Sequence, residues 1–582
     1  MSGTIGPKQT IQAGINVVDA GGTVNVATGT YVEQVVINKN LTLAGTGNPV
    51  IRAPASPTPY TFPEGAGNTW EPVVLAFGGT ADGSFIITGA GQVTVNISGT
   101  TVDGNSRIPS PTSRRAVGIL YRNVLGGVSH CTVQNMGYSA SFGNSWGIMA
   151  YGTSDATFHG NTVSGYAKGG FVVNGVAANP SLPKPHAVID GNTVTGPAYD
   201  PALVLAPNGI QIGWGATGSV TNNTATHHGS PGTLWGGTGI LIQSSPNVLV
   251  EGNMAIGNQD YGIATSGYTS YGGSYCNGTI IRNNTVEGNG QGIRIEKMSV
   301  DTLVENNTIT GNGHGIHVGS APLTYPIPPV GTVIHNNIVY GNTSSGLSVE
   351  TDVLPVDATH NWWGDISGPS GVGYGSGDQV TSNVVYEPWH SAGFVSNSYT
   401  SSNTMITSPG TVTVSLGTIA SAVKTGTGTP TITVGKYSVN PGTGTFTGDI
   451  RSYLEVYVPD ATGTDQIEIR LYYTDAEIAG LAESTLGLYW WMWSYNYSGG
   501  SWVRCSDTGV NTGSNYIWAR IRASGTTPDL SYLSGQGFGG GGTPAGGGGG
   551  GVPVFPSLYI GIGAALGAGI LAYFVSRRLA RQ

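Results

Sequence analysis

Short runs in which apolar and polar residues alternate recur through residues 93–363. Most runs begin with a glycine, which is followed by an apolar residue, one further residue and a second apolar residue, as in Gly292-Ile293-Arg294-Ile295. Alternation with a period of two predicts β-strands that turn one face toward a core. The glycines that open these runs are Gly147, Gly170, Gly209, Gly239, Gly262, Gly292, Gly315 and Gly346.

A second recurring element is an asparagine followed by two mostly small or β-branched residues. Its successive steps are 31, 31, 30, 31, 23 and 30 residues. A step of 23 also recurs among the glycines, and the longer steps mostly add about seven or eight residues, which predicts a solenoid with a fixed rung and variable loops. Cys131 takes the corresponding position before Asn161, and we expect it to be a small core residue. The asparagines are Asn161, Asn192, Asn223, Asn253, Asn284, Asn307 and Asn337.

Rungs of three short strands with a bend-forming asparagine predict a right-handed parallel β-helix. Asparagine suits the bend because it tolerates the left-handed backbone region and can hydrogen-bond along a stack of equivalent residues. About a dozen rungs would make a rod on the order of 55 Å long. We expect a short helix that begins at Thr10 to cover the open end of the core with Ile11, Ile15 and Val18.

Two segments carry a family resemblance. Residues 10–47 resemble the N-terminal rungs of pectin-lyase-like β-helix proteins, and Asn361-Trp362-Trp363-Gly364 with the later Trp389 resembles their closing segment. The resemblance covers about residues 7–389. It implies the fold but leaves the function open, since this fold hosts lyases, hydrolases, esterases, adhesins and inert scaffolds.

After about Met405 the repeat stops and six alternating runs with turns between them follow. Short strands at regular spacing over about 120 residues predict an antiparallel β-sandwich. The stretch 472–481 resembles a module found before the membrane anchor of archaeal and bacterial surface proteins. The predicted domains are therefore a β-helix over 1–395 and a sandwich over 405–530, which makes the chain all-β.

The C-terminal part predicts a membrane anchor. Residues 557–575 carry no charge, and at about 1.5 Å per residue they span roughly 28 Å, close to the hydrocarbon thickness of a bilayer. We expect a Gly-rich linker over 535–556, a single transmembrane helix over 557–576 and a basic tail over 577–582, which the positive-inside rule places in the cytoplasm. The alternative is a buried apolar helix of a soluble domain. Gly563 and Gly567 form a weak GxxxG signal for a homo-oligomer.

An extracellular N-terminal part requires an export signal, yet the first 12 residues have neither a basic start nor an apolar core. We expect that the natural chain begins earlier or was processed. The prediction is a single-pass membrane protein displayed at the surface of a microbial cell.

Composition narrows the function classes. Charged residues make up only 9% of the chain and the net charge is -9, which argues against a nucleic-acid partner. The 96 glycines follow no three-residue period, which excludes collagen. Three widely separated cysteines form no CxxC motif, so we expect no metal site and no cofactor.

Outward-facing columns of the Gly-started strands show where catalysis would lie. The first column runs Met149, Val172, Gln211, Leu241, Ala264, Arg294, His317 and Ser348, and the second includes Tyr151, Asn174, Gln243, Ser266, Glu296 and Glu350. The four weak catalytic candidates, Arg294, Glu296, His317 and Glu350, would cluster within three rungs. Polygalacturonases carry a Gly-His-Gly and an Arg-x-Lys motif, but here the order is reversed and adjacent Asp residues are absent. The alternative to catalysis is a polar patch with Arg294–Glu296 or His317–Glu350 contacts.

Aromatic residues in or beside turns are weak candidates for ligand binding, because flat rings can stack on sugars; packing of these rings is the alternative. The candidates are Trp214, Trp235, Tyr268 and Tyr271, with Trp146 nearby. The leading hypothesis is a non-catalytic surface protein that acts in adhesion, glycan binding or envelope structure. The alternative is an extracellular lyase or hydrolase that acts on polyuronates.

Overall fold

A computed structural model describes residues 6–545, apart from 66, 138–144, 177–178, 180, 198–205, 230–236, 269–273, 320–326, 366–367, 374, 387–388, 390–399, 406–409, 429–430, 438–445, 447, 459–460, 494–499 and 534–536. The predicted transmembrane helix over 557–576, the tail over 577–582, Gly563 and Gly567 lie outside the described residues. Within the described part of the chain, none of the helices combines the length and apolar character needed to cross a bilayer.

The first two thirds of the chain form a right-handed parallel β-helix of three sheets, as predicted. Sheet 1 consists of Thr23–Val26, Leu41–Gly45, Val93–Ser98, Val124–Ser129, Asp155–His159, His186–Asp190, Thr217–Thr221, Leu249–Glu251, Ile280–Arg282, Leu303–Glu305, Val333–His335, Val356–Asp357 and Val384–Val385. Sheet 2 consists of Thr30–Val32, Val50–Arg52, Thr101–Asp103, Thr132–Gln134, Thr162–Val163, Thr193–Thr195, Thr224–Thr226, Met254–Ile256, Thr285–Glu287, Thr308–Thr310 and Ile338–Tyr340.

Sheet 3 carries most of the outward-facing aromatic and amide side chains. It consists of Val35–Ile37, Trp70–Phe77, Arg115–Arg122, Ser145–Tyr151, Gly169–Asn174, Asn208–Gly213, Thr238–Gln243, Tyr261–Ser266, Gln291–Ile295, His314–Val318, Ser345–Val349, Gly377–Val380 and Pro369–Gly371. Two small pairs, Cys276–Asn277 with Ser299–Val300 and Thr80–Ala81 with Ile87–Thr88, lie beside the main sheets.

The interior of the β-helix is filled by columns of apolar side chains from all three sheets, and sheet 3 contributes two of them, as Ile293 and Ile295 show. Every strand of sheet 3 from Ser145–Tyr151 to Ser345–Val349 contributes a buried apolar residue after its glycine, such as Ile148, Ile293 and Leu347. The helix Ile11–Val17 covers the first rung with Ile11 and Ile15. The Thr10 hydroxyl caps this helix by accepting a hydrogen bond from Ala13 N–H at 3.1 Å. The predicted helix and its capping role are confirmed.

The predicted asparagine stack is present at the turn between sheets 1 and 2. Each asparagine donates its backbone N–H and its side-chain Nδ2 to the side-chain oxygen of the next one, as Asn284 does to Asn307 at 2.9 Å in both bonds. Cys131 lies at the start of the stack, buried, with its N–H bonded to Asn161 Oδ1 at 3.0 Å. The expectation that Cys131 is a core residue is confirmed.

A second stack, which the repeat pattern had not revealed, lies at the turn between sheets 2 and 3. Asn258, Asn289, Asn312 and Asn342 are bonded in the same way. His228 takes the place in this stack one rung before Asn258. Its Nδ1 is 2.7 Å from Asn258 Oδ1, and its Nε2 is 2.6 Å from the Tyr166 hydroxyl. An amide oxygen only accepts, so Nδ1 carries the proton and the ring is neutral.

His228 makes the β-helix sensitive to acid. Burial lowers the pKa of His228 to about 4, so the folded protein resists its protonation while the unfolded chain takes up a proton near pH 6.5. Stability from the neutral ring is therefore fully present above pH 6.5 and is lost as the pH falls toward 4. The loss amounts to about 3 kcal/mol at most.

We expect His228→Asn, which extends the stack, to flatten this dependence. Denaturant unfolding at several pH values between 4 and 7 measures it, and His186→Asn at an exposed position is the control, which should behave like the unsubstituted protein. Parallel profiles for His228→Asn and the unsubstituted protein would contradict the assignment.

Two antiparallel sheets follow the β-helix, where the sequence predicts a sandwich. Sheet 4 consists, in spatial order, of Thr400–Met405, Thr431–Tyr437, Asp449–Tyr457, Gly537–Gly541, Gly487–Trp493 and Gly500–Arg504. Sheet 5 consists of Val412–Leu416, Ala420–Thr425, Gln466–Tyr472, Tyr516–Arg522 and Thr508–Asn511. Both sheets are antiparallel, and short 3-10 helices lie at Pro63–Gly65, Glu483–Thr485 and Leu530–Tyr532. Trp490 and Trp491 are buried.

One boundary requires correction. The predicted linker over 535–556 begins inside the two antiparallel sheets, because Gly537–Gly541 is a strand in the middle of sheet 4. Glycine is needed here for close packing: a Cβ atom on Gly539 would lie 2.9 Å from the Tyr453 ring, and one on Gly541 would lie 2.6 Å from the Phe446 ring. Gly539 and Gly541 therefore pack against aromatic rings and do not belong to a flexible linker.

Candidate functional site

The outer face of sheet 3 carries a groove. Strand pairing aligns Met149, Val172, Gln211, Leu241, Ala264, Arg294, His317 and Ser348 in one column. The predicted first column is therefore present residue for residue. A groove of about 370 Å³ follows this column from Met149 to Ala264. We call it the sheet-3 groove.

Side-chain amides form much of the floor of the sheet-3 groove. Asn208 Nδ2 donates to Gln211 Oε1 at 2.9 Å, and Gln211 Nε2 donates to Asn174 Oδ1 at 3.1 Å. Asn174 also bonds to the Tyr151 hydroxyl, and burial raises the pKa of that hydroxyl to about 12. Gln243 and Ser266 continue the polar row toward the C-terminal end. Amides both donate and accept, so this floor can pair with ligand hydroxyls along its length.

Aromatic rings close the N-terminal end of the groove. A hydrophobic cluster on the outside of sheet 3, which we call the outer cluster, includes Trp70, Trp146 and Tyr151. The Trp70 and Trp146 rings meet edge to face with centroids 5.5 Å apart. The Arg115 guanidinium lies 5.2 Å from the centroid of each ring. The closed end is thus rigid, aromatic and cationic.

A further aromatic pair stands at the side of the groove. Trp214 and Tyr268 meet edge to face at 6.0 Å, and Lys297 lies 4.9 Å from the centroid of the Tyr268 ring. Trp214 has a φ of 60°, a left-handed conformation that is unfavourable for a bulky side chain. Such strain persists only where the surroundings impose it and is concentrated at functional sites. The backbone strain at Trp214 therefore supports a functional role for its ring, which lines the groove.

The four catalytic candidates lie together beyond the C-terminal end of the groove, and we call them the Arg294 cluster. Arg294 Nε is 3.5 Å from Glu296 Oε1, and Arg294 Nη2 is 3.5 Å from Glu350 Oε1. His317 Nε2 lies 3.1 Å from the same Glu350 oxygen. Both contacts of the polar-patch alternative are therefore present. Arg294 and Glu296 are each only 3% exposed, so the patch is mostly buried.

The electrostatics of the Arg294 cluster do not favour acid–base chemistry. Burial, together with the nearby Arg294 and His314, lowers the pKa of His317 to about 3, so the ring is neutral and weakly basic at pH 7. Glu296 and Glu350 share one arginine as ion-pair partner. Glycoside hydrolysis uses one protonated and one ionised carboxyl group on either side of the scissile bond. Here both carboxylates lie 3.5 Å from the same arginine, while Arg294 Nη1 and His317 Nδ1 are buried without a hydrogen-bond partner among the described residues.

Of the predicted site residues, Trp214, Tyr268 and Glu296 line the groove, whereas Arg294, His317 and Glu350 are not among its described lining. Tyr271 and Trp235 lie outside the described residues. Arg115 and Lys168 are not among the predicted site residues, because neither belongs to a repeated motif. Arg115 begins the strand Arg115–Arg122, and Lys168 directly precedes the strand Gly169–Asn174. Among the described residues, no three His, Cys, Asp or Glu side chains form a group able to hold a metal ion.

Comparison with known proteins supports the fold. Residues 146–322 match the family described as "Right handed beta helix region". No curated protein sequence matches the chain. Among solved structures, the A-module of the Azotobacter vinelandii mannuronan C-5 epimerase AlgE6 is similar, with 17% identity, a TM-score of 0.42 and coverage of 65% of this chain and 94% of that one.

Two further structures are similar over long stretches. The Dettilon tailspike protein (gp208) has 13% identity and a TM-score of 0.41, with coverage of 89% of this chain and 87% of that one. The periplasmic alginate epimerase AlgG has 14% identity and a TM-score of 0.31, with coverage of 49% and 76%. At such identities the similarity concerns the fold alone. The chain therefore contains a right-handed β-helix, and its function has to be argued from its own residues.

Proposed function

We propose that the β-helix is a non-catalytic glycan-binding module that holds an extended sugar chain in the sheet-3 groove. The observation that carries the proposal is the combination of an amide floor with aromatic walls. Binding sites for small polar ligands typically offer apolar and aromatic surface with a few well-placed polar groups. Trp214, Tyr268 and Trp146 supply the flat surfaces, while Gln211, Asn174 and Gln243 supply donors and acceptors.

The length of the groove suits a chain rather than a single sugar. Its lining comes from seven consecutive strands of sheet 3, from Trp70–Phe77 to Tyr261–Ser266. With about 4.8 Å between neighbouring strands, the lining extends over roughly 30 Å. An oligosaccharide could thus contact both the closed end and the Trp214–Tyr268 pair at once.

Display at a microbial cell surface, in adhesion or envelope structure, belongs to the same proposal. It rests on the apolar stretch 557–576 and the basic tail over 577–582, which suit a single-pass anchor. Membrane fractionation of the full chain tests it. Recovery in the membrane fraction that resists high salt but not detergent is expected, and recovery in the soluble fraction would contradict the anchor.

The second candidate function is cleavage of a polyuronate, as a lyase or hydrolase. The observation that supports it concerns Glu296. This member of the Arg294 cluster also lines the groove, and its side chain is hydrogen-bonded to the Tyr261 hydroxyl. The test is release of unsaturated or reducing ends from a panel of polyuronates. Turnover that disappears in Glu296→Gln would establish catalysis. Binding without turnover is the result expected from the ion pairing described above.

The binding proposal predicts a large effect at Trp214. We expect Trp214→Ala to weaken oligosaccharide binding about 30-fold, because an aromatic side chain central to a binding site typically contributes about 2 kcal/mol. Isothermal titration calorimetry with an oligosaccharide identified on a glycan array measures the change.

Tyr340→Ala is the matched control, since Tyr340 is 46% exposed on sheet 2, away from the groove. Equal affinities of Trp214→Ala, Tyr340→Ala and the unsubstituted protein would remove the groove from consideration.

A further inference from the structure

Two cations project into the closed end of the sheet-3 groove. Arg115 immediately precedes the segment that pairs with Ser145–Tyr151, and its guanidinium is held between the Trp70 and Trp146 rings. Its Nε atom is buried and has no hydrogen-bond partner among the described residues. The guanidinium thus packs against two rings, and its Nε atom keeps hydrogen-bonding capacity among the described residues.

Lys168 provides the second cation. It directly precedes the strand Gly169–Asn174, and its backbone N–H bonds to the Ser145 carbonyl, which places it two rungs from Arg115, or about 10 Å along the axis. Its Nζ donates one hydrogen bond, to the Ala206 carbonyl at 2.8 Å. Burial and the neighbouring Arg115 lower the pKa of Lys168 to about 8. The ammonium has three donors, of which one is used by a described residue.

Glu71, on the strand of sheet 3 next to that of Arg115, is already ion-paired with other cations. Glu71 forms ion pairs with both Arg107 and Arg114, the latter at 3.0 Å. Within the described ranges no carboxylate lies within ion-pair distance of Arg115 or Lys168. Arg115 and Lys168 thus carry positive charge that no carboxylate of the described residues pairs with, in a half-buried, low-dielectric setting where an anion is strongly attracted.

We propose that Arg115 and Lys168 form an anion subsite that takes the carboxylate or sulfate group of an acidic glycan. This inference rests on the proposed glycan-binding function and adds the ligand class to it. The opposite end of the groove carries the carboxylate of Glu296. Because Glu296 is already paired with Arg294, the cations at the closed end are the ones that attract an acidic sugar.

The test compares three size-matched oligosaccharides: neutral, uronate-containing and sulfated. We expect at least one acidic ligand to bind about 10-fold more tightly than the neutral one at 0.1 M salt or below, and the difference to shrink at about 1 M salt, where screening is strong. The preferred anion identifies which group the subsite takes. Lys168→Met and Arg115→Gln should each remove most of the preference for the acidic ligand over the neutral one.

Arg282→Gln is the matched control, because it removes one charge from sheet 1 on another face of the same β-helix. A lowered melting temperature of Arg115→Gln would show that this substitution disturbs the outer cluster. In that case the binding preference of Lys168→Met, at a half-buried position, is the test of the anion subsite. Equal binding of neutral and acidic ligands, or a preference that survives Lys168→Met, would overturn the anion subsite and leave the glycan-binding proposal intact. Failure of the unsubstituted protein to bind any of the three would defeat both.

Discussion

Replacing Asn284 by alanine is expected to lower the free energy of unfolding of the β-helix by about 4 kcal/mol, because several buried polar groups lose their partners at about 1–3 kcal/mol each before relaxation. Asn284 accepts hydrogen bonds from the N–H and the Nδ2 of Asn253 at 2.8 and 2.9 Å. It donates to the Val250 carbonyl and to Asn307 Oδ1, each at 2.9 Å. Water cannot reach these groups, since Asn253, Asn284 and Asn307 are all buried.

The measurement is denaturant unfolding followed by far-ultraviolet circular dichroism, and a neighbouring residue supplies the control. Asn283 is exposed and has a φ of 56°, a conformation that glycine adopts freely. We expect Asn283→Gly to change stability by less than about 1 kcal/mol. A similar small effect for Asn284→Ala would mean that the stack is geometrically regular but energetically unimportant.

Glu64→Gln is expected to cost about 3–5 kcal/mol, because it leaves the charge of Arg122 buried without a counterion. Arg122 Nε and Nη2 bind the two Glu64 oxygens at 3.1 and 2.8 Å, and its Nη1 binds the carbonyls of Gly78 and Gly89. The side chains of Arg122 and Glu64 are 2% and 6% exposed. This pair fastens the segment before Trp70–Phe77 onto sheet 3, where it completes the outer cluster.

A double substitution separates loss of the pair from loss of packing. Arg122→Met with Glu64→Leu removes both charges and keeps the volume, so we expect the double variant to be more stable than Glu64→Gln alone. Thermal unfolding of the double variant, of Arg122→Met and Glu64→Leu each alone, of Glu64→Gln and of the unsubstituted protein measures the difference. A double variant that loses as much as the sum of the single changes would show that the two side chains stabilise the fold independently.

Periodicity made the β-helix predictable to the residue. The glycine runs gave the register of sheet 3, so the column from Met149 to Ser348 could be written down from the sequence and is aligned by strand pairing. The asparagines at one turn were equally evident. The second stack was harder to see, because it begins with His228 rather than asparagine and its Gly-Asn pairs occur amid many others.

Only part of the candidate site could be predicted from the sequence, because the rest of its residues lie outside the repeat. Gln211, Glu296 and Trp214 could be placed from the columns and turns. Arg115 could not, since its position depends on the packing of Trp70 and Trp146 in the outer cluster, which is built on a segment without any period. The glycines at 539–541 show the opposite problem: composition alone cannot separate a strand that packs under aromatic rings from a flexible tether.

Because Gly537–Gly541 lies in the middle of sheet 4, this sheet can be completed only late in the synthesis of the protein. Each rung of the β-helix pairs with the one made just before it, so the solenoid can grow as the chain leaves the ribosome. The strands Asp449–Tyr457 and Gly487–Trp493 instead both pair with Gly537–Gly541 and present open edges until it is made. The need for chaperone protection is therefore concentrated in the last module, after the longest part of the protein has already folded.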